Sequence, residues 1–358
     1  MKEYTAGRNE AGQRLDKFLF KILPEAGRGF LCKMMRKKNI TLNGGKCEGN
    51  ERLSEGDVVR VWFSDETLEK FSGEKAGRAG RADKETQAAP GGIGKDPLRD
   101  LILFEGTEVL LFSKPRGLLS QKAAPGDISA NEHLIRHLLM NGSLTEEQLR
   151  TFRPAVVNRL DRNTGGILIA GKTLPALQIL SELLKKREIE KYYLTGVAGQ
   201  ITEASEIRGF LRKDPSSNRV LVVKEPASEE DREIRTGIEP LCVLPDRTLL
   251  RIHLITGRTH QIRAHLASAG HPVLGDPKYG DRALNERLRR EAGLRFQLLH
   301  AFELRFPENG QLPEEVRGKV FRDKVPEMFE KLFPDGWKEK SLKAGAGSPD
   351  QRPGAERN

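Results

Sequence analysis

Cysteine is scarce in this 358-residue sequence: there are three, Cys32, Cys47 and Cys242, and none belongs to a C-x-x-C pair. That argues against a disulfide framework or a cysteine-based zinc site and leaves three reduced thiols as the expected state. No apolar run approaches the roughly 18 residues that a membrane span needs. The opening stretch "MKEYTAGRNE" has no apolar core of the kind a secretory signal carries. A cytoplasmic protein without membrane contact is expected. A dinucleotide-binding fingerprint is also missing, which removes the commonest basis for redox chemistry.

Positive charge is plentiful. The formal net charge is +10, and residues 1–63 hold 13 Lys and Arg against 8 Asp and Glu. Half of the excess therefore sits in less than a fifth of the chain, which points to an anionic partner met by the front of the molecule. In "RLDKFLFKILP", Leu15, Phe18, Leu19 and Ile22 fall at helical spacing while Arg14, Lys17 and Lys21 lie elsewhere on the wheel. "GFLCKMMRKKN" repeats the pattern, with Leu31, Met34 and Met35 set against Lys33, Arg36, Lys37 and Lys38. "ITLNGGK" and "DVVRVWF" then read as strands, with Asn43-Gly44-Gly45 a turn signal. Two basic helices followed by a small sheet resemble the RNA-binding domain of the ribosomal-protein S-four type. The resemblance implies that residues 13–64 form a small α/β domain with Lys17, Lys33, Arg36, Lys37 and Lys38 toward RNA.

Residues 1–12 read as an amino-terminal tail, and residues 65–97, poor in periodic apolar positions, as a flexible linker. Residues 338–358 have the same character. Residues 98–337 make one large domain. Its strands are expected in "LILFEG", "EVLLFSKP", "GILIAG", "EKYYLTGVAG", "NRVLVV" and "TLLRIHLI", and its helices in "ISANEHLIRHLLMNG", "LPALQILSELLKKR" and "RTHQIRAHLASAG". Strands outnumber helices without regular alternation, so the expected class is α+β with a mixed sheet.

Two readings compete over "RLDRNTGGILIAGKT", residues 159–173. Gly166–Thr173 satisfies the phosphate-loop pattern, with Lys172 as the phosphate ligand and "VLGD", ending at Asp276, as a weak magnesium-binding companion. The four residues between its glycines, Ile167–Ala170, look like a buried strand and not a bend around an anion. The other reading centres on Asp161 and the Thr-Gly-Gly that follows. "VVNRLDRNTGGILIAGK" resembles the signature of the RluA-type pseudouridine synthases, in which H-R-L-D-x-x-T-S-G precedes an apolar strand. "EVLLFSKPRGLLSQ", "EKYYLTGVAG", "LITGRTHQIRAHLASAGHPVLGDPKYG" and "LLHAFEL" are similar to four more motifs of that family, in the same order. Asn158 stands where the family usually has histidine, and Gly165 where it usually has serine.

The resemblance implies the pseudouridine synthase fold, with a mixed, mainly antiparallel sheet, and isomerisation of uridine in RNA, ribosomal RNA more than transfer RNA. Asp161 would react at the ribose, either attacking the anomeric carbon or removing the 2′ proton. Arg263 would pair with that aspartate, and Tyr193 would stack on the base and help remove the carbon 5 proton. Arg159 would fill the space left by the flipped uridine. No cofactor or metal enters this chemistry, and a monomer is expected. His133 and His137, four apart on a helix, lack an evident third ligand for zinc. His260 and His265 read as structural or RNA-contacting. A non-catalytic RNA-binding protein on the same fold and a phosphate-loop nucleotide hydrolase remain as alternatives.

Overall fold

The computed structural model describes residues 1–72, 95–213, 219–334 and 336–339. Most of the linker and nearly all of the carboxyl-terminal tail expected from the sequence lie outside these residues. The front of the chain runs β1 (Lys2–Thr5), α1 (Leu15–Ile22), α2 (Arg28–Arg36), β2 (Ile40–Leu42), β3 (Val58–Val61) and α3 (Asp65–Phe71). The apolar row of α1, Leu15, Phe18, Leu19 and Ile22, is buried. It shares a core with Leu31 and Met35 of α2 and with Ile40, Val59 and Val61 of the sheet. After β2 the chain turns tightly. Asn43 and Gly44 both take positive φ, 51° and 76°, and Leu42 and Gly45 exchange backbone hydrogen bonds, a geometry that Asn-Gly tolerates best.

Two expectations need correction here. Residues 2–5 are no tail: β1 pairs antiparallel with β3, and Tyr4 sets its ring edge-on to Phe18 at 6.1 Å. Four residues with one aromatic are too short a pattern to betray a strand. Residues 65–71 are helical and not linker. Ser64 caps α3 by accepting the Thr67 amide, and Phe71 lies 4.6 Å from the Phe30 ring. The front unit also touches the body of the protein. Lys21 Nζ donates to the Thr151 carbonyl at 2.6 Å, the Thr151 hydroxyl donates to Glu10 at 2.6 Å, and Asn9 accepts the Leu174 amide at 3.2 Å.

The body begins with β4 (Ile102–Glu105), β5 (Val109–Lys114), α4 (Ala130–Met140), α5 (Glu146–Thr151), β6 (Ala155–Val156), β7 (Gly165–Gly171) and α6 (Leu174–Lys186). It continues with β8 (Glu190–Ala198), β9 (Ser205–Lys213), β10 (Val220–Val223), β11 (Arg232–Val243), β12 (Arg247–Leu254) and α7 (Gln261–Ser268). Helix α8 (Arg282–Ala292), β13 (Leu299–Arg305), β14 (Val320–Arg322) and α9 (Glu327–Leu332) complete it. The strands form one sheet in the order β10-β9-β11-β12-β8-β13-β7-β5-β4, with β6 on β7 and β14 on β13. Among the described residues every pairing in it is antiparallel except β13 with β7. The mixed, mainly antiparallel α+β expectation is met.

That parallel junction explains the second glycine of the Thr-Gly-Gly turn. Gly165 and Gly166 lie opposite His300 and Ala301, and Gly166 has φ +114°. A Cβ there would stand 2.2 Å from the Ala301 carbonyl oxygen, so only glycine lets the strands meet. The same geometry disposes of the phosphate loop. Ile167–Ala170 are fully buried in β7, and the Thr173 hydroxyl caps α6 by accepting the Ala176 amide. Lys172 Nζ is taken by Glu105 at 2.8 Å and by the Gly106 carbonyl at 2.9 Å. On one face of the sheet Tyr193, Leu250, Ile252 and Ile238 pack with Ile262 and Leu266 of α7. On the other, Leu194, Leu249 and Phe302 pack with Phe329 and Phe333.

Candidate active site

Asp161 lies on the loop that leaves β6 and returns as β7, and the loop is clamped along its length. Asn158 accepts the Ile169 amide at 2.7 Å and donates to the Ile167 carbonyl at 3.2 Å. The unusual asparagine is thus a matched donor and acceptor for the edge of β7. The Ser120 hydroxyl accepts the Leu160 amide and donates to the Leu160 carbonyl, both at 2.9 Å. After the aspartate, its own carbonyl accepts the Thr164 amide at 3.0 Å, closing the turn. The Asp161 side chain is left 25% exposed, open enough for a ligand to reach.

Facing it is Arg263, on α7 and 102 residues away in sequence. Its Nη1 donates to Asp161 Oδ2 at 2.7 Å. Its other edge grips Asp276, with Nε to Oδ2 at 2.7 Å and Nη2 to Oδ1 at 2.8 Å. Asp276 is fully buried and also accepts the Lys278 and Tyr279 amides. Burial pushes the Asp276 carboxyl upward, but Arg263 and the two amides more than reverse this and hold it below the usual range. Burial likewise disfavours the Arg263 charge, yet Asp276 and then Asp161 raise its pKa above the ordinary arginine value. A guanidinium held by two bonds along one edge cannot swing, so its third contact aims a fixed positive charge at Asp161.

Three more side chains complete the cluster. Lys114, at the end of β5, is 1% exposed and donates to the carbonyls of Pro115, Leu118 and Arg162 at 3.0, 2.7 and 3.1 Å. Burial brings its pKa down to about 8 against the opposing pull of Asp161. Tyr193, on β8, is buried, and burial followed by the negative charge of Asp161 drives its hydroxyl well above the usual phenol range. Its neighbour Tyr192 faces the opposite side, under the Arg251 guanidinium at 3.9 Å. Alternation along the strand therefore selects Tyr193. His260 caps α7 with φ 55° and brings Nε2 to 3.9 Å from Asp161 Oδ2. Its Nδ1 lies 3.1 Å from the Tyr279 hydroxyl.

Of the residues singled out from sequence, Asp161, Tyr193 and Arg263 come together. Arg159 is exposed on the Asp161 loop. Lys17, Lys33, Arg36, Lys37 and Lys38 are exposed on α1 and at α2 and its end, and none of them makes an ion pair with another described residue. By sequence alone Asp276 is only a weak metal-ligand candidate and Lys114 carries no role. The signal for Asp276 was present: it is the only acid in the long motif that contains Arg263. His137 lies between Asp96 at 2.7 Å and Glu105 at 2.9 Å, and His265 bonds the Thr236 hydroxyl. Among the described residues no group of three or more His, Cys, Asp and Glu could hold a metal. No described helix is long and apolar enough to cross a membrane.

A buried cation fixed between two carboxylates, one of them accessible, can present a charged oxygen to a sugar carbon or proton. Residues 108–268, which carry Asp161 and Arg263, match the family model described as RNA pseudouridylate synthase. The Haemophilus influenzae protein named Ribosomal large subunit pseudouridine synthase C is 32% identical, over 87% of this chain and 89% of its own. The chain belongs to the RNA pseudouridine synthase family. The Escherichia coli protein of the same name is 30% identical to this synthase over 89% of this chain and 90% of its own. Human RNA Pseudouridylate Synthase Domain Containing 1 shares the fold of this synthase. It has a TM-score of 0.52 and 21% identity, covering 74% of this chain and 99% of that one. The synthase is an isomerase of RNA uridine.

Proposed function

We propose that the synthase converts uridines of large-subunit ribosomal RNA to pseudouridine, acting as a cytoplasmic monomer with Asp161 as the residue that reacts at the ribose. The observation that carries this reading is the 2.7 Å contact from a guanidinium anchored on Asp276 to an Asp161 that remains open to ligand. The ribosomal substrate is supported by relatives named for the large subunit that match nearly end to end.

The reaction breaks the bond from ribose C1′ to uracil N1, turns the ring and rejoins it through carbon 5. A carboxylate is required at the ribose, whether it attacks C1′ or removes the 2′ proton. The uridine first leaves its stack, at a cost of a few kcal/mol. Arg159, exposed two residues before Asp161, takes the vacated space, where a planar guanidinium stacks and also meets phosphate. Tyr193 receives the base. Its phenol stays protonated at neutral pH, because burial and Asp161 both oppose ionisation, and this suits a stacked hydrogen-bond donor better than a free base. Lys114 and Ser120 hold the Asp161 loop from below. The basic side chains of α1 and α2 grip the RNA backbone at a distance from the chemistry.

Asp161→Asn is expected to keep RNA affinity within a few fold and to lose single-turnover isomerisation. It preserves shape while removing the reacting charge. Mapping pseudouridines in total RNA from cells with and without the gene should show sites lost from large-subunit rRNA. Full conversion by Asp161→Asn would end the catalytic assignment, and losses confined to transfer RNA would end the ribosomal one.

A further inference from the structure

The two buried arginines among the described residues are matched by carboxylates. Arg263 has Asp276 and Asp161, and Arg251 has Glu303 and Glu239. Arg116, which is only half-buried, has no such partner. It follows β5 and Pro115, its Nη2 is shielded from solvent, and that atom has no hydrogen-bond partner among the described residues. No described carboxylate forms an ion pair with it. Burial lowers its pKa, and no acidic neighbour opposes the shift. Arginine cannot escape such a position by losing its proton, so this half-buried charge keeps no counter-charge among the described residues.

The place of Arg116 says which anion. The Gly117 amide and Lys114 Nζ both hold the Arg162 carbonyl, at 2.8 and 3.1 Å, so the Arg116 loop is fastened to the residue next to Asp161. Arg159 and Arg162 are exposed on the same loop and make no ion pair among the described residues. Gly165 belongs to the same arrangement. Its φ lies outside the left-handed region, so its backbone does not demand glycine. A Cβ there would lie 3.3 Å from His300 Nδ1, 3.4 Å from the Lys114 carbonyl and 3.5 Å from Arg116 Cγ. The Cβ of the serine usual at this position would crowd His300 and touch the Lys114 carbonyl and the stem of Arg116 at ordinary contact distance.

We propose that Arg116 binds a phosphodiester of the RNA backbone beside the flipped uridine, in space that Gly165 leaves open. This deepens the functional reading above and rests on it. A guanidinium meets phosphate with two parallel hydrogen bonds, which converts an unpaired charge into a positioning contact at the reacting nucleotide.

The test uses the full-length synthase and an RNA fragment spanning a uridine identified by the mapping experiment. The fragment is made unmodified and with a charge-neutral methylphosphonate at each phosphate flanking that uridine. Arg116→Met should melt higher than wild type without RNA, by about 2–8 °C, since it deletes an uncompensated charge. It should bind unmodified RNA roughly tenfold more weakly, with a salt slope smaller by about 0.7–0.9. One methylphosphonate position should weaken the wild type by a similar factor and leave Arg116→Met unaffected. Gly165→Ser should reproduce part of the affinity loss. Independent, additive losses from variant and methylphosphonate would overturn the proposal. So would inorganic phosphate stabilising the wild type, but not Arg116→Met, while RNA binding stayed equal, since that describes a small-anion site. Should Arg116→Met fail to fold, Arg116→Lys should keep the salt slope and lose affinity; wild-type affinity with no response to any methylphosphonate would overturn it. Conversion by the wild type and its loss in Asp161→Asn test the functional reading separately.

Discussion

Removing the Arg263 side chain separates the structural and the chemical duties of the site. In Arg263→Ala, the fully buried Asp276 keeps its two amide donors but loses two charge-assisted bonds, and Asp161 loses its cation. Breaking a buried pair by deleting one partner costs about 3–5 kcal/mol. The surviving amides favour the lower part of that range, about 3–4 kcal/mol, or roughly 6–16 °C in melting temperature for a domain of this size. The penalty should depend on pH. In the wild type the Asp276 carboxyl is held below its ordinary value. Its contribution is therefore present above the unfolded pKa of about 3.9 and is lost as the pH falls through the lower folded value. Without Arg263 burial prevails and raises the Asp276 carboxyl, so the variant folds with a protonated aspartate. The gap between the two proteins should be widest near neutrality and should close toward pH ~4 and below. Urea unfolding across that range measures it, alongside single-turnover assays. Arg263→Met combined with Asp276→Leu replaces the pair by apolar side chains and should recover most of the stability. It should not recover turnover, because Asp161 still lacks the guanidinium bonded to it. A gap under about 1 kcal/mol at pH 7, a gap indifferent to pH, or turnover regained by the double variant would refute the reasoning.

Gly166→Ala should be among the most damaging single changes, costing on the order of 4 kcal/mol or more, because the added carbon meets the β13 backbone. Gly257→Ala, with open space around the position, should stay within about 0.5 kcal/mol; comparable thermal melts for the two would contradict the parallel-junction account. Replacing Lys33, Arg36 and Lys37 together by alanine should reduce the salt slope of RNA binding by roughly 2. Turnover at saturating RNA should be left near wild type, and an unchanged slope would show that the front unit does not grip phosphate.

The elements of this fold were readable where their periodicity is local. Helix α1 announces itself by four apolar residues on one face, and β7 by an unbroken apolar run after a glycine pair. The long strands β9 and β11 were not anticipated, since "SEIRGFLRK" and "REIRTGIEPLCV" alternate charged and apolar residues with an interrupting Gly or Pro. Their pleat is stabilised by partners on both sides and not by their own pattern. Strand β1 was missed for the same reason at shorter length.

At the site, the sequence alone determined which acid stands before the glycine turn, which strand carries the tyrosine pair and where positive charge accumulates, because these are properties of neighbours along the chain. Tertiary structure decided the rest. It set Tyr193 and Tyr192 on opposite faces of β8, and turned Asp276 from a weak metal-ligand candidate into the anchor of Arg263. It buried Lys114 among three carbonyls, and left Arg116 without a counter-charge beside Gly165. The pairings of Arg263 join groups 13 and 102 residues apart, and their energies exist only once burial has removed the water that would otherwise screen them.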